Sequence, residues 1–297
     1  MFERKSKDTL PLGALKGEED SRDYIAGHIL GDIDPKFVMP EEVRLDIEEG
    51  NQGALEETRV ACTCFAAYHV AQAINELEHQ QELSVDFVKG WRLQKHLGTA
   101  SEKGDYVVTA LKSLVKNGLI TEEGTYPIKA FARISLGKST PEEIKYWLAK
   151  GYPIVTSART TSTNFKRAKT TGYWTGLDGT IRGGHAFALM GYTGSNKDIV
   201  ASQSYGSNYG FYGDGTFRIE DKFVKNLDSC YLVYDMREVK NIFTDVTEDS
   251  WVAEALKWAK DKKVIKGYED GSFRPDQPMT RAEVVQVMYN YHKKFKK

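Results

Sequence analysis

Two cysteines, Cys62 and Cys64, stand at the start of a stretch whose apolar residues recur at helical spacing, from Ala67 to Leu77. A thiol in the first turn of a helix lies near free backbone N–H groups and the positive end of the helix dipole. Both lower the thiol pKa and favour the thiolate. A thiolate is a nucleophile that can attack a carbonyl carbon. The pair therefore predicts nucleophilic catalysis from a helix N-terminus.

Such a thiolate needs a histidine that can accept and return a proton. His185 lies in the segment GGHAFALMGY, where the residues alternate as in a strand and two glycines permit close approach of another backbone. The remaining histidines lie in polar or helical contexts, where solvated or packed side chains are expected: His28, His69, His79, His96 and His292. His185 is therefore the candidate base.

The elements that must position these groups differ between the two halves of the chain. Helices are predicted for YVVTALKSLVKNG, which ends at Asn117-Gly118, and for TPEEIKYWLAKG, which begins at Thr140. From Tyr152 onward apolar residues recur at every second position, which is typical of strands. The predicted strands are YPIVTS, HAFALMGY, IVASQSY, GTFRI and SCYLVYD. A helical half with the cysteines and a β half with His185 predict an α+β fold with a cleft between them.

Composition excludes several classes of function. The chain has 297 residues, and 41 basic residues almost balance 42 acidic ones, so no basic field favours nucleic acid. Three cysteines are too few for a disulfide framework, and no stretch is apolar enough to span a membrane. No cofactor or metal is expected. The first residues contain no apolar run of signal-peptide length, so secretion by the usual route is not expected, and release by lysis, including from a phage-infected cell, is one hypothesis.

The runs ACTCFAAY, GGHAFALMGY and SQSYGSNYGFYGDGTFRI resemble, in order and context, the cysteine, histidine and asparagine blocks of the papain family, particularly its bacterial and phage members. The resemblance extends over roughly residues 20 to 235. It implies a papain-like two-subdomain fold over residues 39–236, a protein or peptide substrate, and peptide hydrolysis through an acyl-enzyme.

The resemblance leaves the choice of nucleophile open. With Cys62, the spacing to Arg59 and Phe65 is similar to that of bacterial members of the family. With Cys64, Phe65 would replace the usual tryptophan, and the apolar stripe of the helix would keep a papain-like phase. Cys62 is the preferred interpretation. The other cysteine, like Cys230, would then be a small buried apolar residue.

Two positions depart from the family pattern. Where the family has the asparagine that orients the histidine, this chain has Gln203, whose carbonyl can also accept from an imidazole. The family's oxyanion glutamine falls at Glu56, and Gln52 lies four residues upstream. A carboxylate would repel the developing oxyanion, so we expect an insertion that lets Gln52 reach the site. Tyr205 is expected to cover the contact between His185 and Gln203.

The N-terminal residues 1–38 are polar and contain Gly and Pro, which indicates an extended lead-in. They precede the segment MPEEVRLD, where the resemblance places a start like that of a mature peptidase. The lead-in is therefore either a short pro-segment that lies across the cleft or an ordinary tail.

After residues 236–241 the strand signals stop, and residues 242–297 are predicted to form a helix-loop-helix module. Trp251 and Trp258 share a helical stripe, and Thr280 with Glu283 predicts a capping box. The segments FTDV, GYEDGSFRPD and TRAE resemble the S-layer homology repeat, which implies binding to acidic cell-wall polysaccharide. The resemblance implies two ligands: the guanidinium of Arg281 would donate to a carboxylate of the polysaccharide, and the ring of Trp251 would stack on a sugar. Trp258 is expected in the core, and for Trp251 the core is the alternative to the ligand role.

Together these features predict a cysteine endopeptidase at the surface of a Gram-positive cell. Cys62 would attack, His185 would transfer the proton, Gln203 would orient it, and Gln52 or a backbone N–H would stabilise the oxyanion. The alternatives are a papain-like module that binds peptides without turnover, and an amidase that acts on peptidoglycan stem peptides. Because such repeats usually pack in threes and this sequence has one, a homotrimer is a further expectation.

Overall fold

The structure is a computed structural model in which the described residues are 12–16, 25–26, 30, 33–45, 50–79, 82–98, 100–101, 103–137, 140–234, 243, 245–246, 252–268, 270–275 and 277–296. The chain divides into two compact units, residues 1–235 and 236–297. The first unit carries the candidate catalytic residues, and the second carries the predicted helix-loop-helix module. The segment 236–242, where we place the domain boundary, lies outside the described residues.

Six helices are described in the first unit and two in the second. They are α1 Cys62–His79, α2 Phe87–His96, α3 Val107–Asn117, α4 Thr140–Ala149, α5 Ser162–Thr170, α6 Asp221–Val224, α7 Ala253–Asp261 and α8 Arg281–Phe295. Local sequence fixes several of their ends. The Asp86 side chain accepts from the Lys89 N–H at the start of α2, and α3 ends at Gly118, whose φ of 76° is accessible to glycine.

The strands are β1 Val43–Arg44, β2 Leu119–Ile120, β3 Thr125–Tyr126, β4 Ala130–Arg133, β5 Ile154–Thr161, β6 Tyr173–Trp174, β7 Ile181–Thr193, β8 Asp198–Ser202, β9 Thr216–Ile219 and β10 Leu227–Tyr234. Eight of them form one sheet in the order β4-β10-β5-β7-β8-β9-β6, with β1 beside β7. β2 and β3 form a separate hairpin. All strands in the large sheet are paired antiparallel except β6 with β9.

The long strand β7 is buried on both faces, which explains why HAFALMGY reads as an almost unbroken apolar run. Ala186, Ala188 and Met190 pack in a cluster with α1 and α3, while Phe187 and Leu189 pack in a second cluster with the rest of the sheet. The helical half and the β half therefore meet along β7. The α+β prediction is confirmed, and β7 is the element that brings His185 to the junction.

The second unit has a small core. Phe243, Val246 and Leu256 are buried, with Val252, Ile265 and Phe273 packed against them. The predicted capping box is confirmed: Thr280 accepts from the Glu283 N–H, and the Glu283 side chain accepts from the Thr280 N–H. No described residue of α8 is buried, although this helix carries several large apolar side chains.

Candidate active site

Cys62 is the first residue of α1 and is completely buried. Its sulfur accepts a hydrogen bond from the backbone N–H of Ala186 at 3.5 Å, and the backbone of Gly13 also contacts it. Because Ala186 directly follows His185, the thiol lies beside the chain segment that carries the imidazole. The helix N-terminus and β7 thus place Cys62 at the junction of the two halves.

His185 is buried on β7 and is held from one side by Gln203. Its Nε2 lies 3.1 Å from Oε1 of Gln203, so with a proton on Nε2 the ring donates to the amide carbonyl. Nδ1 has no hydrogen-bond partner among the described residues. The methylene that glutamine has in addition to asparagine is therefore accommodated, and Nδ1 is available to accept a proton.

Aromatic rings enclose the imidazole. Tyr205 stacks on His185 with centroids 5.3 Å apart and an interplanar angle of 6°, and Phe165 approaches edge-on at 5.6 Å. The sequence predicts Tyr205 in this place, whereas the contact with Phe165, on α5, is not predicted from it. Together they exclude water from the ring that is bonded to Gln203.

Gln52 is buried and contacts Ser204, the residue after Gln203. Its backbone N–H donates to the Ser204 carbonyl, its side-chain Oε1 accepts from the Ser204 hydroxyl, and its Nε2 donates to the Arg59 carbonyl at 2.8 Å. Between Gln52 and Cys62 the chain forms a 3₁₀ turn, Glu56–Thr58. Glu56 is exposed there and pairs with Arg59, so its carboxylate points to solvent.

Residues 12–16, which we call the cleft segment, lie against this site. Ala14 is bridged to Gly184 on one side and to Asp105 on the other. The Ala14 N–H donates to the Gly184 carbonyl at 3.2 Å, the Leu15 N–H to the Asp105 carbonyl at 2.9 Å, and the Asp105 N–H to the Gly13 carbonyl at 2.9 Å. The segment therefore adds a short strand between the two halves.

Glycines make this approach sterically feasible. A Cβ on Gly184 would lie 2.1 Å from the Ala14 oxygen, and one on Gly104 would lie 1.7 Å from the Gly13 oxygen. A Cβ on Gly13 would lie 1.8 Å from the backbone oxygen of Val60. The close backbone approach predicted from the glycines before His185 is thus made by the chain's own N-terminal region.

Burial keeps both candidate catalytic groups neutral. Burial raises the pKa of the Cys62 thiol to about 11, although backbone N–H groups oppose the shift. Burial also lowers the pKa of His185 to about 4, against the opposing effect of Gln203. At neutral pH Cys62 is therefore a thiol and His185 an uncharged imidazole.

The other two cysteines lie elsewhere in the core. Cys64 is buried, and its pKa is raised by burial and by the nearby charge of Asp105. Cys230 is buried on β10, where its sulfur lies 3.3 Å from the Thr156 hydroxyl. Both environments disfavour a thiolate.

In the second unit, Arg281 is the first residue of α8 and is exposed. Trp251 lies outside the described residues. The expectation that Trp258 is a core residue is wrong: it is 45% exposed and stacks on Phe295 of α8, with centroids 5.8 Å apart. Within the described residues, this unit alone does not cover Trp258. The predicted homotrimer stays a prediction.

Sequence comparison identifies the tail. The family model described as S-layer homology domain matches residues 242–285. Cell surface glycoprotein 1 of Acetivibrio thermocellus is 41% identical over 54 residues, and the cellulosome-anchoring protein of the same organism is 38% identical over 55 residues. Each match covers 18% of this chain, and they cover 2% and 12% of those two proteins. The predicted S-layer homology domain is confirmed.

Solved structures are similar to this chain in fold. Xylellain, a cysteine protease from Xylella fastidiosa, superposes with a TM-score of 0.61 at 18% identity, covering 78% of this chain and 99% of that one. Procathepsin L 3 of the Tenebrio molitor larval midgut gives a TM-score of 0.52 at 13% identity, covering 68% and 72%. These likenesses confirm the predicted papain-like fold. Within the described residues, no helix is long and apolar enough to cross a bilayer.

Proposed function

We propose that this chain, a papain-like cysteine protease fold followed by an S-layer homology domain, is a cysteine endopeptidase that acts at a cell surface. The observation that carries the proposal is the site on β7. A buried thiol at a helix N-terminus lies 3.5 Å from the residue after His185, and His185 is bonded to Gln203.

In the proposed reaction, the Cys62 thiol gives its proton to Nδ1 of His185, and the thiolate attacks the carbonyl carbon of a peptide bond. The imidazolium then returns the proton to the leaving amine, which leaves an acyl-enzyme. Water, with His185 as base, hydrolyses the thioester and releases the acid and the thiol. The bond from Nε2 to Gln203 supports this role, because it fixes the tautomer that leaves Nδ1 basic.

The oxyanion would be stabilised by the backbone N–H of Cys62 and by the second N–H of the Gln52 amide. Two contacts support the role of Gln52. Its Oε1 accepts from Ser204 and one Nε2 proton goes to the Arg59 carbonyl, so the amide orientation is fixed. The exposed position of Glu56 keeps a carboxylate away from the developing charge.

The cleft segment would keep the enzyme inactive until it is displaced, which makes the lead-in a short pro-segment. This proposal is supported by its hydrogen bonds on both sides of the cleft and by its contact with the Cys62 sulfur. The neutral state of the buried Cys62 and His185 side chains also supports the pro-segment proposal. Displacement would admit water, remove the cost of charging, and allow a thiolate-imidazolium pair to form.

Alkylation by iodoacetamide tests the peptidase proposal without knowledge of the substrate. When the cleft segment is displaced by Gly13→Ala, we expect rapid modification of Cys62 with a pH-dependent rate, because the ion pair supplies thiolate below the ordinary thiol pKa. His185→Ala in the same background should slow the rate at least about tenfold, since one unit in pKa changes the thiolate fraction by that factor. Peptide mapping by mass spectrometry identifies the modified residue.

The exposed His96→Ala substitution serves as the control and should leave the rate unchanged. A slow rate like that of a free thiol in the displaced chain, unaffected by His185→Ala, would contradict the peptidase. It would leave a papain-like domain that binds peptides without turnover.

The S-layer homology domain would hold the peptidase on acidic cell-wall polysaccharide. Its relatives include a protein named for the cell surface and one named for anchoring, which supports this role. Arg281 supports it further, because an exposed guanidinium can donate two parallel hydrogen bonds to a carboxylate.

Arg281→Ala is expected to weaken binding to purified cell-wall polysaccharide at least about tenfold, the effect of losing roughly 1.4 kcal/mol of charge-assisted hydrogen bonding. Cosedimentation with the isolated polysaccharide measures it. Lys262→Ala, which removes an exposed charge from the end of α7, should bind as the parent does. Equal retention of both variants would reject Arg281 as a ligand.

A further inference from the structure

A second histidine, His69, is completely buried on α1, about two turns after Cys62. Its Nε2 accepts a hydrogen bond from the backbone N–H of Gly50 at 3.0 Å. A neutral imidazole that accepts at Nε2 carries its proton on Nδ1, and this nitrogen lies 3.3 Å from the Ser202 hydroxyl. Both ring nitrogens therefore contact chain segments outside the helix.

The two partners of His69 stand next to the two glutamines of the site. Gly50 precedes Gln52 by two residues, and Ser202 directly precedes Gln203. The imidazole thus connects the helix that carries the nucleophile to the segment that carries the oxyanion donor and to the segment that orients His185. A single buried side chain links three separate parts of the site.

The stretch Gly50–Gln52, which we call the oxyanion arm, depends on His69 at one of its ends. The Gly50 carbonyl accepts from the Gly206 N–H at 3.1 Å, and the Gln52 N–H donates to the Ser204 carbonyl at 2.7 Å. These bonds join the arm to residues 204–206, while the Gly50 N–H is directed to His69. Gly50 is buried, so an unpaired N–H there would be costly, and the arm would shift if His69 could not accept.

Packing and charge keep His69 in this role. The ring of Phe87 meets the imidazole edge-on with centroids 5.0 Å apart, and it stacks on Phe65 at 4.7 Å. A Cβ on Gly50 would lie 2.9 Å from both phenyl rings, so the arm lies directly against them. Burial lowers the pKa of His69 to about 3, so at neutral pH Nε2 keeps the lone pair that accepts from Gly50.

We propose that His69 is a positioning residue that holds the oxyanion arm, so that the Gln52 amide lies where the tetrahedral intermediate develops its charge. This inference rests on the proposed peptidase function and adds a residue to it. An oxyanion donor acts on charge that develops only in the transition state. Loss of the acceptor at His69 should therefore lower kcat and leave KM unchanged.

The test replaces His69 by two amides in the full chain with Gly13→Ala, because alanine would leave a cavity. The Oε1 of His69→Gln can take the place of Nε2 and accept from Gly50, whereas His69→Asn is too short and places its amide where Nδ1 lies. His69→Asn should lower kcat for a fluorogenic peptide at least about tenfold, with KM within about twofold. His69→Gln should restore kcat to within about threefold of the parent.

Alkylation of Cys62 by iodoacetamide distinguishes positioning from a general loss of structure. That reaction displaces iodide from a CH₂ carbon and builds no oxyanion, so its rate in His69→Asn should stay within about twofold of the parent. The matched control is Gln72→Asn, a buried polar change on the same helix at a side chain that bonds Glu76. It should change neither kcat nor the alkylation rate.

An unchanged kcat in His69→Asn, or a fall in the alkylation rate as large as the fall in kcat, would overturn the inference. A measurement without turnover separates it from the peptidase proposal. In His69→Asn, hydrogen exchange at the Gly50 amide should lose its protection, and the ¹⁵N signal of the Gln52 side chain should shift. Both changes, reversed in His69→Gln, support the positioning even if the parent hydrolyses nothing. Unchanged protection and an unchanged signal reject it.

Discussion

Replacing Cys62 by alanine is expected to lower peptide hydrolysis by at least about 10³-fold, the scale on which nucleophile removal acts in enzymes of this kind. Cys64→Ala should keep kcat/KM within a few-fold of the parent. The reason is electrostatic as well as geometric. The Cys62 sulfur accepts from the Ala186 N–H, whereas Cys64 lies near the carboxylate of Asp105, whose charge opposes a thiolate.

A fluorogenic peptide assay in the Gly13→Ala background measures both variants at equal concentration. Cys64→Ala removes a small buried group, so it is expected to cost about 1 kcal/mol of unfolding free energy. Thermal melts must therefore show that each variant is folded at the assay temperature. If Cys64→Ala were the inactive one and Cys62→Ala hydrolysed normally, the assignment of the nucleophile would be reversed.

The sequence alone predicts those site residues that lie on helices and strands with a clear sequence pattern. The helix begins at Cys62, as the apolar spacing from Ala67 onward indicates. His185 lies on a strand, as predicted, although this strand is buried on both faces and does not alternate. The contact between His185 and Gln203 cannot be predicted from local sequence pattern. Residues on β7 and just after β8 become neighbours only through strand register, so the family resemblance, not local pattern, supplied that expectation.

Three of the described helices are missed: α6 is a single turn, and the sequences of α2 and α5 carry weak periodic signals. α2 contains Gly90 in its interior and several charged residues, but Gly90 is required there because a Cβ would lie 2.4 Å from the Tyr68 ring. α5 is polar, and its start depends on a capping box between Thr161 and Asn164 that interrupts a predicted strand region. In both cases tertiary contacts outweigh the low propensity of the sequence.

The position of the cleft segment could not be derived from its own residues. Polar composition with Gly and Pro indicates an extended chain but says nothing about where that chain binds. Backbone groups of Asp105 and Gly184 hold the cleft segment by hydrogen bonds, and these two residues are far apart in sequence. Backbone donors and acceptors leave no signature in a sequence except the glycines that allow another chain to approach, here Gly13, Gly104 and Gly184.

Gly13→Ala is expected to raise peptidase activity of the full chain at least about tenfold. The closed state is held by three backbone hydrogen bonds of 2.9 to 3.2 Å, each contributing about 0.5–1.5 kcal/mol, and by the contacts of Leu15. A Cβ at Gly13 would lie 1.8 Å from the Val60 oxygen, a backbone atom that cannot rotate away. The cleft segment must therefore leave the cleft in this variant. Because apparent kcat/KM scales with the open fraction, even a shift of about 1.4 kcal/mol gives a tenfold increase.

The matched control is Gly176→Ala, which adds the same methyl group in the same unit where no atom lies within 4 Å. Its activity should equal that of the parent. A synthetic peptide LGALK, added in trans, should inhibit the Gly13→Ala chain more strongly than the parent, since only the former has a vacant cleft. Unchanged activity in Gly13→Ala would mean that the segment already leaves freely or that it does not block the substrate. Hydrogen exchange at the Leu15 and Asp105 amides decides between those two, because a segment that leaves freely gives them no protection.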